Sequence, residues 1–304
     1  MTVRLALIGA GHWGRAYIRT IKTIPGALLV RVASKNPQTR SLVDPEVKIS
    51  GDWCQVVGSQ DIDGVIVATP PATHFEIGMQ ALRSGLAVLM EKPLTLDLGQ
   101  AQNLLKFTAK QNGLFMVDHT YLFHPAYRLI KKKSRELGAI KLIVSRAGNR
   151  GPFREDTPPL WDYAAHDLAI CLDLVGKPPS SIRALREKKE TLPQGRGEII
   201  RLKLEFPGSI KADIQIGNIL PAKERFFEVQ LNDGALTFDN IAQTLKDAGK
   251  TIPYPPTPPL TQAVKEFIEM IALGRSDHEN LKLGVEVIRL LAQCDRMLSP
   301  SEKV

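Results

Sequence analysis

Residues 3–14 read VRLALIGAGHWG. A short apolar run delivers the chain into three glycines spaced G-x-G-x-x-G, Gly9, Gly11 and Gly14. The residues that follow, HWGRAYIRTIK, carry helical spacing and close at Pro25-Gly26. A strand that turns through this pattern into a helix is constrained in geometry and in ligand. Gly9 permits the tight turn, Gly11 lets the backbone approach a pyrophosphate, and Gly14 lets the helix lie close on the strand. Free N–H groups and the dipole at the helix start favour negative charge there. The pattern therefore predicts a dinucleotide site, with His12 and Trp13 meeting the cofactor from within the loop.

The texture downstream fits that opening. Up to residue 120, continuous apolar runs (ALLVRVAS, GVIVA, LAVLME, LFMVDHT) alternate with helical stretches (THFEIGMQALRSG, DLGQAQNLLKFTAKQNG). Strands alternating with helices imply parallel pairing through right-handed crossovers, and unbroken apolar runs suit strands buried on both faces. After residue 120 comes a helix, HPAYRLIKKKSREL, then a strand, AIKLIVSRAGNRG, and a helix over 161–176, WDYAAHDLAICLDLVG. Strand-like segments follow without helices between them. In GEIIRLKLEF, Ile200, Leu202, Leu204 and Phe206 share one face, and Pro207-Gly208 and Asn232-Asp233-Gly234 mark turns. This predicts an antiparallel sheet with one covered face. Two helical stretches end the chain after a proline-rich segment, IPYPPTPPL. The expectation is an α/β doubly wound parallel sheet over 1–120 and an α+β domain with a mostly antiparallel sheet over 121–304, the C-terminal helix being able to pack back on the first domain.

Composition narrows the ligand more than the fold. The formal charge of +8 over 304 residues suits an anionic small molecule, while the scattered basic residues, with no run longer than Lys131-Lys132-Lys133, argue against nucleic acid. Three separated cysteines, Cys54, Cys171 and Cys294, offer neither a disulfide framework nor metal spacing and suit a reducing compartment. No membrane span or leader pattern is read, so a cytoplasmic protein without a metal is expected. The ribose reader expected about 20 residues past the glycines is not a carboxylate: Ser34 and Lys35 stand there, and no Asp or Glu occurs between Gly26 and Asp44. A 2′-phosphate is then not repelled, and NADP is favoured over NAD, with Ser34, Lys35 and Arg40 as its candidate ligands.

Two further segments, ATPPATH (68–74) and VLMEKPL (88–94), each end a strand of the first domain. Together with GAGHWG and WDYAAHDLAICLDLVG, in that order, they resemble the Gfo/Idh/MocA oxidoreductases along nearly the whole chain. The resemblance implies a Rossmann domain followed by a domain whose large sheet carries a homo-dimer or homo-tetramer interface. It also implies NAD(P)-dependent hydride transfer at a hydroxyl or ketone of a sugar, cyclitol or nucleotide sugar. The lysine of the family's Glu-Lys-Pro motif maps to Lys92, and its Asp-x-x-x-His pair maps to Asp162 and His166. Two departures are visible: DTPPLW replaces the usual glycine run, and Asp167 directly follows the histidine.

The residue chemistry agrees with that mapping. Moving a hydride off an alcohol leaves a proton to be accepted, and histidine titrates in the required range. Asp162 and His166 lie four apart on one helix face, so the carboxylate can orient the ring or bind a neighbouring hydroxyl. Lys92 can stabilise charge on the same oxygen and relay a proton. Thr69, Pro70, Pro71, His74 and Glu91 are expected to border the cofactor. His119, Tyr121 and Arg150 are expected to border the substrate, Arg150 as a partner for an anionic group. Pro93 is expected to fix the turn through a cis bond. A non-catalytic dinucleotide sensor, and a reductase of a non-sugar substrate such as an imine or tetrapyrrole, are the alternatives.

Overall fold

A computed structural model describes residues 2–153, 157–193, 195–275 and 278–299. The chain runs β1 (Val3–Ile8), α1 (His12–Lys22), β2 (Ala27–Ala33), β3 (Lys48–Ser50), α2 (Trp53–Val57), β4 (Gly64–Val67), α3 (His74–Arg83), β5 (Ala87–Glu91), α4 (Leu98–Gln111) and β6 (Phe115–Asp118). It continues through α5 (Pro125–Ser134), β7 (Ile140–Arg150), α6 (Pro159–Val175), β8 (Ser181–Leu192), β9 (Gly195–Phe206), β10 (Ile210–Gly217) and β11 (Ile219–Leu231). The last elements are β12 (Gly234–Asp239), β13 (Thr244–Asp247), β14 (Lys250–Thr251), α7 (Pro259–Leu273) and α8 (Glu279–Leu298). Two compact units result: Met1–Thr120 with Pro258–Ile288, and Tyr121–Thr257 with Arg289–Val304.

In the first unit six strands pair in the order β3-β2-β1-β4-β5-β6, all parallel. Strand order reverses between β1 and β4, and ligands of open α/β sheets bind at the carboxyl edge of such a switch point. Every residue of β4, β5 and β6 is buried, which explains their unbroken apolar sequence. Tyr17, Ile18 and Ile21 form the buried stripe of α1. The buried face of α7, Leu260, Ala263, Val264 and Phe267, completes this core, with Phe267 and Ile271 directly against Gly64 of β4. In α8, Gly284 packs on Val117 and Leu94, a contact that leaves no room for a side chain.

The second unit is built on an eight-stranded sheet, β14-β13-β12-β11-β7-β10-β9-β8. All its pairings are antiparallel except β10 with β7, which is parallel. Ile200, Leu202, Leu204 and Phe206 of β9 are buried while Lys203 and Glu205 between them are exposed, the alternation read from sequence. Nearly the whole length of α6 is buried, from Pro159 to Leu172, and Gly176 ends it in a left-handed conformation (φ 69°).

The short elements β3, α2, β13 and β14 were not anticipated, because two to five residues carry no period. β11 starts at Ile219, six residues before the segment RFFEVQL, and its first half is irregularly paired to β7. No helix among the described residues is long and apolar enough to cross a membrane.

Candidate active site

The glycine loop behaves as its spacing predicts. Gly9 has φ +93°, and a Cβ there would lie 2.6 Å from the Ala68 carbonyl oxygen. A Cβ on Gly14 would lie 2.0 Å from the Gly9 carbonyl oxygen, so α1 sits on the loop as closely as a backbone allows. Gly11 is the N-cap of α1 and is exposed, with open space where a Cβ would be. The first turn carries no acidic residue. A cleft of about 610 Å³ opens over it, lined among others by Gly9, Gly11, His12, Arg15, Ser34, Lys35 and Thr69. Its size, the open approach at Gly11 and the acid-free helix start all fit a dinucleotide with its pyrophosphate on the helix N-terminus. Trp13 is exposed beside His12, their rings edge to face at 5.6 Å, but it does not line the cleft.

The cleft continues into a second of about 620 Å³ that shares Ser34, Lys35 and Asn36 and adds Arg40, Glu46 and Lys48. Ser34 is held in place: its Oγ contacts Thr39 Oγ1 at 2.8 Å and accepts the Asn36 N–H. Arg40 is occupied, donating to the carbonyls of Val47 and Asp44. Lys48 reaches Asp61 at 3.4 Å. Lys35 is exposed on the shared wall and forms no ion pair among the described residues. Arg15, Asn36, Gly51 and Trp53 of this lining went unread in the sequence. For Arg15 a signal existed, since it follows Gly14 on the first turn of α1. Its Nε is buried without a hydrogen-bond partner among the described residues.

At the carboxyl ends of β4 and β5 the two signature segments are tied together. His74 is fully buried, with Nδ1 2.9 Å from the Pro93 carbonyl and Nε2 3.0 Å from the Thr69 carbonyl. Burial lowers its pKa. It braces the loops from behind, while Thr69, bonded to Thr73 across 2.7 Å, faces the cleft. Pro70 caps the short helical turn begun by the buried Pro71. The Lys92-Pro93 bond is cis, as expected. Lys92 is half-buried directly past β5.

Glu91 turns inward: its carboxylate oxygens meet the Tyr17 hydroxyl at 3.1 Å and the Lys92 N–H at 3.1 Å. Tyr17 also bonds Asp118, at 2.5 Å. Burial, then the Asp118 charge, raises Glu91 to about 8, and burial raises Asp118 to about 6. His119 is enclosed, and burial followed by the Lys92 charge pushes it down to about 3, so its ring is neutral. Neither ring nitrogen has a hydrogen-bond partner among the described residues.

The second unit presents the other candidates on and around α6. Asp162 stands in the helix's first turn and His166 one turn later, both half-buried. The Tyr121 ring meets the His166 ring edge to face at 5.0 Å. Arg225 of β11 lies over the opposite partner in this stack, its guanidinium carbon 3.9 Å from the Tyr121 centroid. The residue after the histidine explains itself here. Asp167 is fully buried and takes Arg225 Nη1 on both oxygens at 2.9 Å, plus the Ser145 hydroxyl at 2.5 Å. It anchors α6 to β7 and β11. Asp167→Ala would leave the nine-tenths-buried Arg225 without its counter-charge, and we expect about 3–5 kcal/mol of destabilisation in denaturant titrations. A loss under 1 kcal/mol, within the range of exposed pairs, would rule that anchoring out. Arg150 ends β7 exposed, near Glu190.

Comparison with known proteins agrees with this geometry. Residues 3–119 match GFO_IDH_MocA, the oxidoreductase family with an NAD-binding Rossmann fold. Over the full chain, the crystal structure of an inferred oxidoreductase from Magnetospirillum magnetotacticum MS-1 is 39% identical, covering 97% of this chain and 100% of that one with a TM-score of 0.91. The chain belongs to the Gfo/Idh/MocA oxidoreductase family. Within the family, UDP-N-acetylglucosamine 3-dehydrogenase of Acidithiobacillus ferrooxidans is 28% identical over 191 residues, 60% of this chain and 58% of that protein. Inositol 2-dehydrogenase of Rhizobium meliloti is 28% identical over 198 residues, again 60% and 58%. The matched stretch thus spans under two thirds of either relative. Gfo/Idh/MocA membership makes this an NAD(P)-binding protein.

Proposed function

We propose that this protein is an NAD(P)-dependent dehydrogenase or reductase acting on a secondary alcohol or ketone of a sugar, cyclitol or nucleotide sugar. The observation that carries this reading is Lys92 at the carboxyl edge of β5, in a turn tied by His74 and Glu91, in the unit that carries the glycine cleft. The bound nicotinamide supplies the hydride acceptor or donor. In the oxidative direction the substrate hydroxyl gives its proton to the His166 imidazole. Lys92 hydrogen-bonds the same oxygen and stabilises the charge that develops on it. Asp162 orients the imidazole or takes a neighbouring hydroxyl. His119, with both ring nitrogens lacking hydrogen-bond partners among the described residues, is a further contact for substrate. Arg150, exposed at the end of β7, is the proposed partner for a phosphate on a nucleotide sugar. Turnover of a panel of UDP-hexosamines and inositols, followed at the nicotinamide absorbance, tests the reading. Tight cofactor binding without turnover of any member would favour a sensor instead.

For the cofactor, we infer NADP over NAD. Support comes from Ser34 in place of an acidic ribose reader and from Lys35, exposed where the two clefts join and without an ion-pair partner among the described residues. Arg40 drops out of the sequence expectation, because its guanidinium serves its own loop. Lys35→Ala is expected to weaken NADP⁺ about tenfold, the worth of one charge-assisted contact, and to leave NAD⁺ unchanged in calorimetric titration. A wild-type preference for NAD⁺ would sink the inference.

A further inference from the structure

Behind the candidate lysine lie two carboxyl groups and a phenol with few protons to share. Tyr17, Glu91 and Asp118 come from α1, β5 and β6, and none is more than 5% exposed. The Tyr17 oxygen is 2.5 Å from Asp118 Oδ2 and 3.1 Å from Glu91 Oε1. A phenol supplies one hydrogen. The shorter contact has the length of a hydroxyl donating to an ionised carboxylate, so that hydrogen belongs to Asp118. The longer contact is then a hydrogen bond only when Glu91 Oε1 carries a hydrogen of its own and donates to the phenolic oxygen. The remaining oxygen, Oε2, accepts the Lys92 N–H at 3.1 Å, as the carbonyl oxygen of a neutral acid does.

The surroundings agree. The other groups that act on the pair are Lys92, whose charge acts on Glu91, and the Thr120 hydroxyl, which favours ionised Asp118. Two ionised carboxylates enclosed together, with one half-buried lysine nearby, would be costly, and like charges in one site cannot both ionise cheaply. The rise of Glu91 to about 8, above Asp118 at about 6, points to the same member as the protonated one.

We propose that Tyr17, Glu91 and Asp118 share two protons and one negative charge behind Lys92, with Glu91 as a neutral acid that positions the Glu91-Lys92-Pro93 turn while Asp118 carries the charge. This role rests on the reading of Lys92 as catalytic. Glu91 is a positioning residue: it acts through Lys92 and not on substrate.

Infrared spectroscopy of the full chain at neutral pH tests the proton directly. A protonated-carboxyl C=O band in wild type that vanishes in Glu91→Gln is the expected result. Its absence from wild type, or its persistence in Glu91→Gln, overturns the assignment, and the wild-type spectrum decides even if a variant fails to fold. The positioning role is read from rate. Glutamine keeps one donor and one acceptor, so kcat of Glu91→Gln should exceed that of Glu91→Ala about tenfold, and the alkaline step in the kcat profile belonging to Glu91 should disappear in Glu91→Gln. If Gln and Ala are equally damaging, Glu91 acts as an anion and the proposal fails. A band as expected with kcat of Glu91→Ala equal to wild type, while Lys92→Met is inactive, removes the positioning role and leaves the reading of Lys92 intact.

Discussion

Lys92→Met is expected to lower kcat/KM about 10³-fold, close to 4 kcal/mol of transition-state stabilisation, with NAD(P) affinity kept within about threefold of wild type. Methionine keeps much of the stem length and none of the charge, so the half-buried position stays filled. The loss should fall mainly in kcat, because the proposed contact strengthens only as charge develops on the substrate oxygen. Lys92→Arg should recover little, since a planar fork does not reproduce a compact ammonium. The turn itself should survive, because it is held by the His74 bridge to the Pro93 carbonyl and by Glu91 on the Lys92 N–H. Rates for Lys92→Met within about fivefold of wild type would remove this residue from the chemistry, since loss of one such electrostatic donor costs far more.

Two alanines in the glycine loop should separate fold from cofactor. Gly14→Ala places a Cβ 2.0 Å from the Gly9 carbonyl oxygen, a clash between main-chain segments that only movement of α1 relieves. We expect about 3 kcal/mol or more of destabilisation, and a loss of cofactor affinity of the order of 10²-fold as the helix N-terminus shifts. Gly11→Ala meets nothing within 4 Å and has an ordinary φ of −71°. Its stability should stay within about 0.5 kcal/mol of wild type, yet its methyl group projects where the pyrophosphate must approach the backbone. Calorimetry should therefore show Gly11→Ala folded and impaired in NAD(P) binding. A Gly11→Ala variant that binds as wild type would place the pyrophosphate elsewhere.

Which features were legible in the sequence follows from their physics. The parallel sheet was, because strands buried on both faces read as unbroken apolar runs and the glycines announce the turn between β1 and α1. The alternation in β9 was legible for the converse reason, one covered face. Helices α7 and α8 could be read as helices, but an apolar stripe shows only that a face is buried and not what covers it; the packing of Phe267 on Gly64 and of Gly284 on Val117 is tertiary information. At the site, Lys92 and the Asp162–His166 pair were named from the family resemblance. Their supports were not. Tyr17 looked like an ordinary buried helix residue, Asp118 like the end of a strand, and Arg225 like one charge in a polar strand. Each acquires its meaning from a partner 58 to 101 residues away. Asp167 alone left a trace, as an unexpected acid beside the histidine. Glu91 and His74 were expected at the cofactor, but both are enclosed and committed to groups within their own unit.

The central claim is hydride transfer at a substrate oxygen served by both Lys92 and His166. Initial rates of NAD(P)H formation by wild type, Lys92→Met and His166→Ala on one panel of UDP-hexosamines and inositols test it most directly. The account predicts turnover of at least one panel member by wild type and a fall of about 10²–10⁴-fold in each variant, with cofactor still bound. Wild-type rates in either variant, or a cofactor-saturated enzyme that oxidises no member of the panel, would contradict it.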